Sequence, residues 1–173
     1  MTTDSARLPN SFFHREVTEV APDLLGKILV RNFKDGRIEK FRITETEAYR
    51  GGDDKSCHAN KGKTARTEVM FQEGGLVYVY LIYGIYWLLN FVTGSEGEGS
   101  AVLIRGIQNI SGPGRVGRAL QLDKSFYGEN LASSQRLWIE DSESKPQFTT
   151  APRVGIDFAG EPWISKPWRF ILK

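Results

Sequence analysis

Two runs of β-branched and aromatic residues, LVYVYLIY (76–83) and IYWLLNFVT (85–93), meet at Gly84. Such side chains fit a pleated surface, and a glycine between two such runs turns one strand back on the other. The stretch therefore predicts a β-hairpin, and its first arm is the strongest strand signal in the chain. Other segments extend the sheet. KILVRNF and RIEKFRITETEAY flank Lys34-Asp35-Gly36, and Asp-Gly is a strong hairpin signal. AVLIRGI, LWIE, PRVGI and PWRFIL read as further strands. Helical signals are few: APDLLG ends a short helix closed by Gly26, TARTEVMF can hold a helical turn, and SGPG opens RVGRALQLD. About seven strands with few helices predict an α+β fold around a mostly antiparallel sheet. Residues 51–63 and 141–150 read as polar loops. The chain has 173 residues, enough for one domain with a real core. MTTDSARLPN reads as a disordered tail over residues 1–10, leaving 11–173 as a single domain.

Charge and cysteine content narrow the function classes. Hydrophobic residues make up 40% and charged residues 25%, as in ordinary folded domains. No apolar run is long enough to span a bilayer, and the first residues lack a basic start and apolar stretch. The expected location is the cytoplasm, at the nucleoid if the source is bacterial. With one cysteine, Cys57, no intramolecular disulfide forms. One cysteine and two histidines cannot build a structural zinc site, nor the H-x-E and C-x-x-C set of a zinc deaminase. The net charge of +2 says little alone. Its distribution says more: Lys55, Lys61, Lys63 and Arg66 lie together without an acid, and Arg105, Arg115, Arg118 and Lys124 form a second basic stretch. A basic stretch of this kind is either a solvated face or a phosphate-binding surface.

Three places carry candidate chemistry. In FRITETEAY, alternation puts Phe41, Ile43, Glu45, Glu47 and Tyr49 on one face, which Phe41 and Ile43 mark as buried. A carboxylate on such a face is either paired to an arginine at the strand end or kept there as a general base. In the hairpin, Tyr78 and Trp87 read as core. Tyr83 sits before the turn glycine, where an exposed ring beside basic loops suits base stacking or wedging, or a protein contact. GPGRVG (112–117) matches G-x-G-x-x-G in form, but QNIS separates it from the preceding strand and Pro113 sits in the turn. A dinucleotide site needs this turn directly between a strand and a helix of a parallel βαβ unit, so both features count against one. The glycines read instead as allowing backbone N–H groups at a helix start to approach a phosphate.

Taken together and in order, ETEAY, His58, MF, YVYLIYG, Asn90, VLIRG, GPG, PRVGI and KPWRF resemble the 3-methyladenine DNA glycosylase family in its alkyladenine form. The resemblance runs from about Phe12 to the last residues. It implies a single mixed α/β domain around a curved antiparallel sheet, with a hairpin that enters the DNA minor groove. It also implies roles. Glu47 is the base that activates water, and Arg105 positions that water and the DNA backbone. Tyr49, His58 and Tyr80 surround the flipped base, Leu103 forms a pocket wall, and Asn90 excludes guanine. Tyr83 fills the gap left in the duplex. On the charge pattern, Lys55, Lys61, Lys63, Arg66 and Arg115 are the residues expected to bind DNA. The implied substrate is double-stranded DNA containing damaged purines, handled by a monomer without cofactor or metal. No lysine stands at the catalytic position, so hydrolysis without strand cleavage is implied. A nucleic-acid-binding module without catalysis, or a protein-interaction domain using the hairpin tip, are the other classes that the residues allow. The sequence departs from the family pattern at Arg66-Thr67, in the short segment after Arg105, and at EPWIS (161–165).

Overall fold

The computed structural model describes residues 6–173. The chain builds an antiparallel sheet from β1 (Ile28–Asn32), β2 (Ile38–Tyr49), β3 (Val77–Ile82), β4 (Tyr86–Thr93), β5 (Ser100–Ile107), β6 (Ile110–Ser111), β7 (Leu137–Glu140), β8 (Phe148–Ala151) and β9 (Arg169–Leu172). The order is β3-β4-β5-β2-β1-β7, with β6 on β5, and with β9 on β2 carrying β8. Two short helices, α1 (Val17–Asp23) and α2 (Pro113–Ala119), complete an α+β domain. The expected α+β class and curled antiparallel sheet are therefore found. The two predicted hairpins form where expected, at Gly36 and at Gly84, both with positive φ.

The long strand β2 organises the rest. Its first half pairs with β1, its second half pairs with β9, and β5 runs along the opposite edge. The simple alternation expected for FRITETEAY does not hold along it. Pairing with β5 is irregular around Thr44 and Glu45, where Glu45 lies against Gly106. Ile43 and Ala48 both belong to the main core, and the buried Thr46 hydroxyl donates to the Ala21 carbonyl of α1 at 2.8 Å. Residues 43, 46 and 48 thus share the core side, and Glu47 and Tyr49 point the other way. The expectation that Glu47 shares a face with Ile43 is overturned. Gly106 makes the irregularity possible, since a Cβ there would meet the Thr44 hydroxyl at 2.9 Å.

Alternation is regular in the neighbouring strands. Val77 and Val79 of β3, Leu89 and Phe91 of β4, and Val102 and Ile104 of β5 enter the core with α1 and α2. Tyr78, Tyr80, Asn90, Leu103 and Arg105 are left on the opposite face of the sheet. The glycines of GPGRVG serve packing. A Cβ on Gly117 would lie 1.8 Å from the Trp87 carbonyl of β4, and one on Gly114 would lie 3.0 Å from the Tyr86 ring. Helix α2 therefore sits directly on β4 because two of its positions lack side chains.

Three local expectations change. PRVGI is a loop, because Arg153 turns inward to bond a buried acid instead of joining a ladder. The 141–150 segment is not all loop, since Phe148–Ala151 pairs with β9. Of the expected tail, residues 1–5 lie outside the described residues. Residues 6–10 are packed: Arg7 bridges Glu140 and Leu8 is buried. Two of the departures noted above close loops. Thr67 is buried and bonds Thr64 and the Gly62 carbonyl, while Trp163 packs against Trp168.

The α2–β4 contact generates a stability prediction. Gly117→Ala should cost about 1–3 kcal/mol, because backbone rather than a flexible side chain opposes the added methyl. Gly36→Ala, whose added methyl meets nothing but whose φ is positive, should cost only about 1 kcal/mol. Denaturant unfolding of both variants checks the order, and equal costs would mean that α2 can shift off β4.

Candidate active site

The face of the sheet opposite α1 and α2 carries a row of residues running across adjacent strands. Arg169 of β9 is opposite Glu47 of β2, which is opposite Leu103 of β5, which is opposite Asn90 of β4, which is opposite Tyr78 of β3. Arg105 lies two residues from Leu103 along β5, and Tyr80 two residues from Tyr78 along β3, so both join the same face. Glu47, Leu103, Asn90, Tyr78, Tyr80 and Arg105 of this row line a cleft of about 690 Å³, in the size range of small-ligand sites.

Glu47 is the most constrained group in the cleft. It is 0% exposed. The Tyr49 hydroxyl donates to its Oε1 at 2.9 Å, and the Val154 backbone N–H donates to its Oε2 at 2.7 Å. Arg105 Nη1 lies 3.6 Å from Oε1. Burial pushes this carboxyl above the usual range, while Arg105, the Val154 N–H, Tyr49 and Arg153 pull the other way. Its sequence neighbour Glu45 has a different fate. It accepts from Arg169 Nη1 at 3.1 Å and from Arg105 Nε at 3.4 Å. The two acids of the strand thus differ: Glu45 is paired to arginines, and Glu47 is buried where it lines the cleft. The Tyr49 hydroxyl is pushed well above its ordinary value by burial and by Glu47, so it stays protonated and donates.

An aromatic group forms one wall. His58 enters from a short 3₁₀ turn (His58–Lys61), with its ring centroid 4.6 Å from that of Tyr80. His58 Nδ1 lies 3.0 Å from the Tyr78 hydroxyl. Burial, with Arg66 and Lys61 nearby, lowers the His58 pKa to about 4, so the imidazole is neutral at pH 7. Burial raises Tyr78 to about 12 and raises Tyr80 further. Arg66 is exposed, yet its guanidinium lies 5.0 Å from the centre of the Tyr80 ring. The Asn90 amide nitrogen is anchored by the Tyr78 carbonyl at 3.2 Å and the Leu88 carbonyl at 3.4 Å.

Tyr83 projects from the tip of the β3–β4 hairpin, 83% exposed and with φ 53°. Leu81 and Ile85 beside it are also exposed. Ten of the residues singled out in the sequence line this cleft: Glu47, Tyr49, His58, Arg66, Tyr80, Tyr83, Asn90, Leu103, Arg105 and Arg115. Lys55, Lys61 and Lys63 are exposed on the adjoining loop and do not line it. Sequence reasoning missed four participants. Tyr78 appeared to be plain core, but its hydroxyl holds His58. Val154 holds Glu47 through its backbone, which no side-chain motif signals. Phe158, 75% exposed, lines the cleft with Tyr83. The fourth is Asp54, which is buried within the 51–63 loop, outside the cleft, and bonded to Arg153.

The chain matches the family described as Methylpurine-DNA glycosylase (MPG) over residues 11–111 and 108–173. It is 43% identical over 186 residues to a protein of Methanocella arvoryzae, covering 96% of this chain and 92% of the relative. It is 43% identical over 177 residues to a protein of Legionella pneumophila strain Corby, covering 96% and 94%. It is 38% identical over 187 residues to a protein of Psychrobacter cryohalolentis, covering 91% and 87%. All three relatives carry names that assign them by inference as 3-methyladenine DNA glycosylases. With a family match across nearly its whole length and relatives at this identity, the chain belongs to the methylpurine-DNA glycosylase family.

Proposed function

We propose that the protein is a monofunctional DNA glycosylase. It flips alkylated or deaminated purines out of duplex DNA and hydrolyses the N-glycosidic bond, leaving an abasic site. The substrates proposed are 3-methyladenine, 7-methylguanine, hypoxanthine and ethenoadenine, taken by a monomer. One observation carries this reading: the fully buried Glu47 carboxylate, held on both oxygens under an aromatic-walled cleft.

In this reading the chemistry is a substitution at C1′ of the sugar. The bond from C1′ to the base nitrogen breaks and its electrons leave with the base. Water adds to C1′, and its proton passes to Glu47. The sugar gains cationic character on the way, which a nearby carboxylate stabilises. An alkylpurine that already carries positive charge leaves without help, whereas hypoxanthine or ethenoadenine must gain a proton. The neutral His58 imidazole does not repel a cationic base, and the faces of Tyr49 and Tyr80 attract one. Arg105 holds the water and the adjoining backbone.

Spacing supports the division of labour. Glu47 and Asn90 are two strand positions apart, roughly 10 Å. A base bounded by Asn90 and Leu103 at one end therefore directs its glycosidic bond toward Glu47. Asn90, with its nitrogen fixed by two carbonyls, presents a rigid obstacle to the 2-amino group of guanine, and 7-methylguanine, which carries the same group, leaves despite it because its positive charge already weakens the bond to the sugar. Tyr83 wedges into the stack vacated by the flipped base. Extrusion costs a few kcal/mol and each aromatic stack returns about 1–3 kcal/mol. Lys55, Lys61, Lys63, Arg66 and Arg115 meet phosphates around the lesion.

Glu47→Gln should bind lesion-containing duplex but excise at least about 100-fold more slowly in single turnover. Equal rates for the variant and the parent protein would exclude Glu47 as the base. The same substitution should affect stability in a pH-dependent way. Because its pKa is raised on folding, Glu47 binds its proton more tightly in the folded state, and stability is lost as pH rises through the carboxylate range. Unfolding temperatures of Glu47→Gln relative to the parent should therefore rise between pH 4 and pH 7, and a constant difference would contradict the burial cost. Tyr83→Ser should melt within about 0.5 kcal/mol of the parent, since an exposed tip buries little. Its excision should fall more for lesions in stable pairs than for mispaired ones. A large drop in melting with unaltered excision would make Tyr83 structural.

A further inference from the structure

One oxygen of Glu47 is held by the Val154 N–H, and Val154 belongs to a loop without ladder pairing. The loop is held from below by its neighbour Arg153. This side chain is buried and makes a two-pronged contact with Asp54, Nη1 to Oδ2 at 2.6 Å and Nη2 to Oδ1 at 3.2 Å. Arg153 Nη1 also donates to the Ala48 carbonyl at 2.9 Å, and Nη2 to the Trp163 carbonyl at 3.4 Å. Its plane lies over the Tyr49 and Trp168 rings at 4.9 and 5.0 Å.

Asp54 is equally committed. Its Oδ2 accepts from the Arg50 backbone N–H at 3.1 Å, and its Oδ1 accepts from the Ser56 N–H at 3.0 Å and the Ser56 hydroxyl at 2.6 Å. One acid therefore ties the end of β2, the turn leading into His58, and the loop that carries Val154. Neither Asp54 nor Arg153 lines the cleft. Both lie where they can act on a bound nucleotide only through other groups. A buried ion pair adds little net stability over packed apolar residues, but it fixes geometry.

We propose that Arg153 and Asp54 are positioning residues for Glu47: the buried pair clamps the 152–156 loop to the end of β2, and so holds the Val154 N–H on the Glu47 carboxylate. The proposal rests on the reading of Glu47 as the base. The clamp joins the acid from one side. From the others come Arg105 of β5, Tyr80 of β3, Tyr49 of its own strand, and Arg169 of β9, which is committed to Glu45. Of these, Arg105, Tyr49 and the Val154 N–H favour the ionised acid, as does the charge of Arg153. Release of the clamp removes the N–H and moves the Arg153 charge. The carboxylate then holds its proton more tightly, and the acid side of the activity profile moves to higher pH.

The test is the pH profile of single-turnover 7-methylguanine release, a cationic base whose departure needs no proton from the enzyme. It is measured for the parent protein, Asp54→Asn, Arg153→Gln and Arg153→Lys. The midpoint of the acid limb should move up by about one pH unit in Asp54→Asn and Arg153→Gln, and less in Arg153→Lys, which keeps the charge. Affinity for lesion duplex should stay within about threefold, because neither residue touches the cleft. A midpoint depends on the folded molecules alone, so a lower active fraction does not move it. If Arg153→Gln does not fold, the Asp54→Asn midpoint decides. Variants with less active protein but the parent midpoint would overturn the proposal and leave the pair as a structural bond. Failure of the underlying reading looks different: the parent protein would release no base, or Glu47→Gln would match it.

Discussion

Keeping a carboxylate out of water is costly, and the geometry of this protein is arranged around doing so at Glu47. Three elements share the task. Strand β2 supplies the acid and Tyr49, strand β5 supplies Arg105, and the 152–156 loop supplies the Val154 N–H. None of the three could hold the carboxylate alone. A tyrosine hydroxyl and a backbone N–H satisfy its oxygens without neutralising it, and Arg105 is shared with Glu45. The acid is therefore fixed but not fully compensated, which suits the proposed role of accepting a proton from water. Catalytic acids and bases are commonly tuned in this way, with stability given up locally for reactivity.

The placement of Glu47 depends on a fault in one strand. Were β2 regular, the face that holds Ile43 in the core would also hold Glu47, and the acid would be trapped among Leu29, Val102 and their neighbours. The irregularity at Thr44 and Glu45, opposite Gly106, exchanges the faces. The core then receives Thr46 and Ala48, small enough to lie beneath α1, and the cleft receives Glu47 and Tyr49. Irregular pairing of this kind is frequent next to active sites because it re-aims side chains. Beyond β5 the sheet continues without a fault, so Leu103, Asn90 and Tyr78 fall into line with Glu47.

Much of this could be read from residue pattern. The hairpins at Asp35-Gly36 and Gly84 carry strong local signals, and β3, β4 and β5 alternate cleanly enough to separate their faces. Glu47 was legible as chemistry and illegible as geometry. A carboxylate among strand residues signals a base or an ion pair, but the face argument pointed to the wrong side because a fault in pairing depends on both strands. PRVGI has the composition of a strand, yet Arg153 pairs with Asp54 across 99 positions of sequence, and no local pattern encodes such a partner. For the same reason the 51–63 segment read as polar loop although Asp54, Ser56 and Cys57 are buried. The basic run was visible but not its division. Arg66 turns onto the Tyr80 ring, whereas Lys55, Lys61 and Lys63 remain at the surface. The family resemblance placed the cleft residues that pattern alone could not, because it draws on motif order along the whole chain.

The central claim is that the cleft adds water across a purine–sugar bond and does nothing further to the strand. Its most direct test is the mass of both products when the purified protein acts on a duplex holding one 3-methyladenine or hypoxanthine. The account predicts the free base, together with a full-length strand whose mass equals the substrate plus water minus that base. No adduct with the protein should form when borohydride is present. An unreleased base, a cleaved strand, or a protein–DNA adduct trapped by borohydride would contradict it.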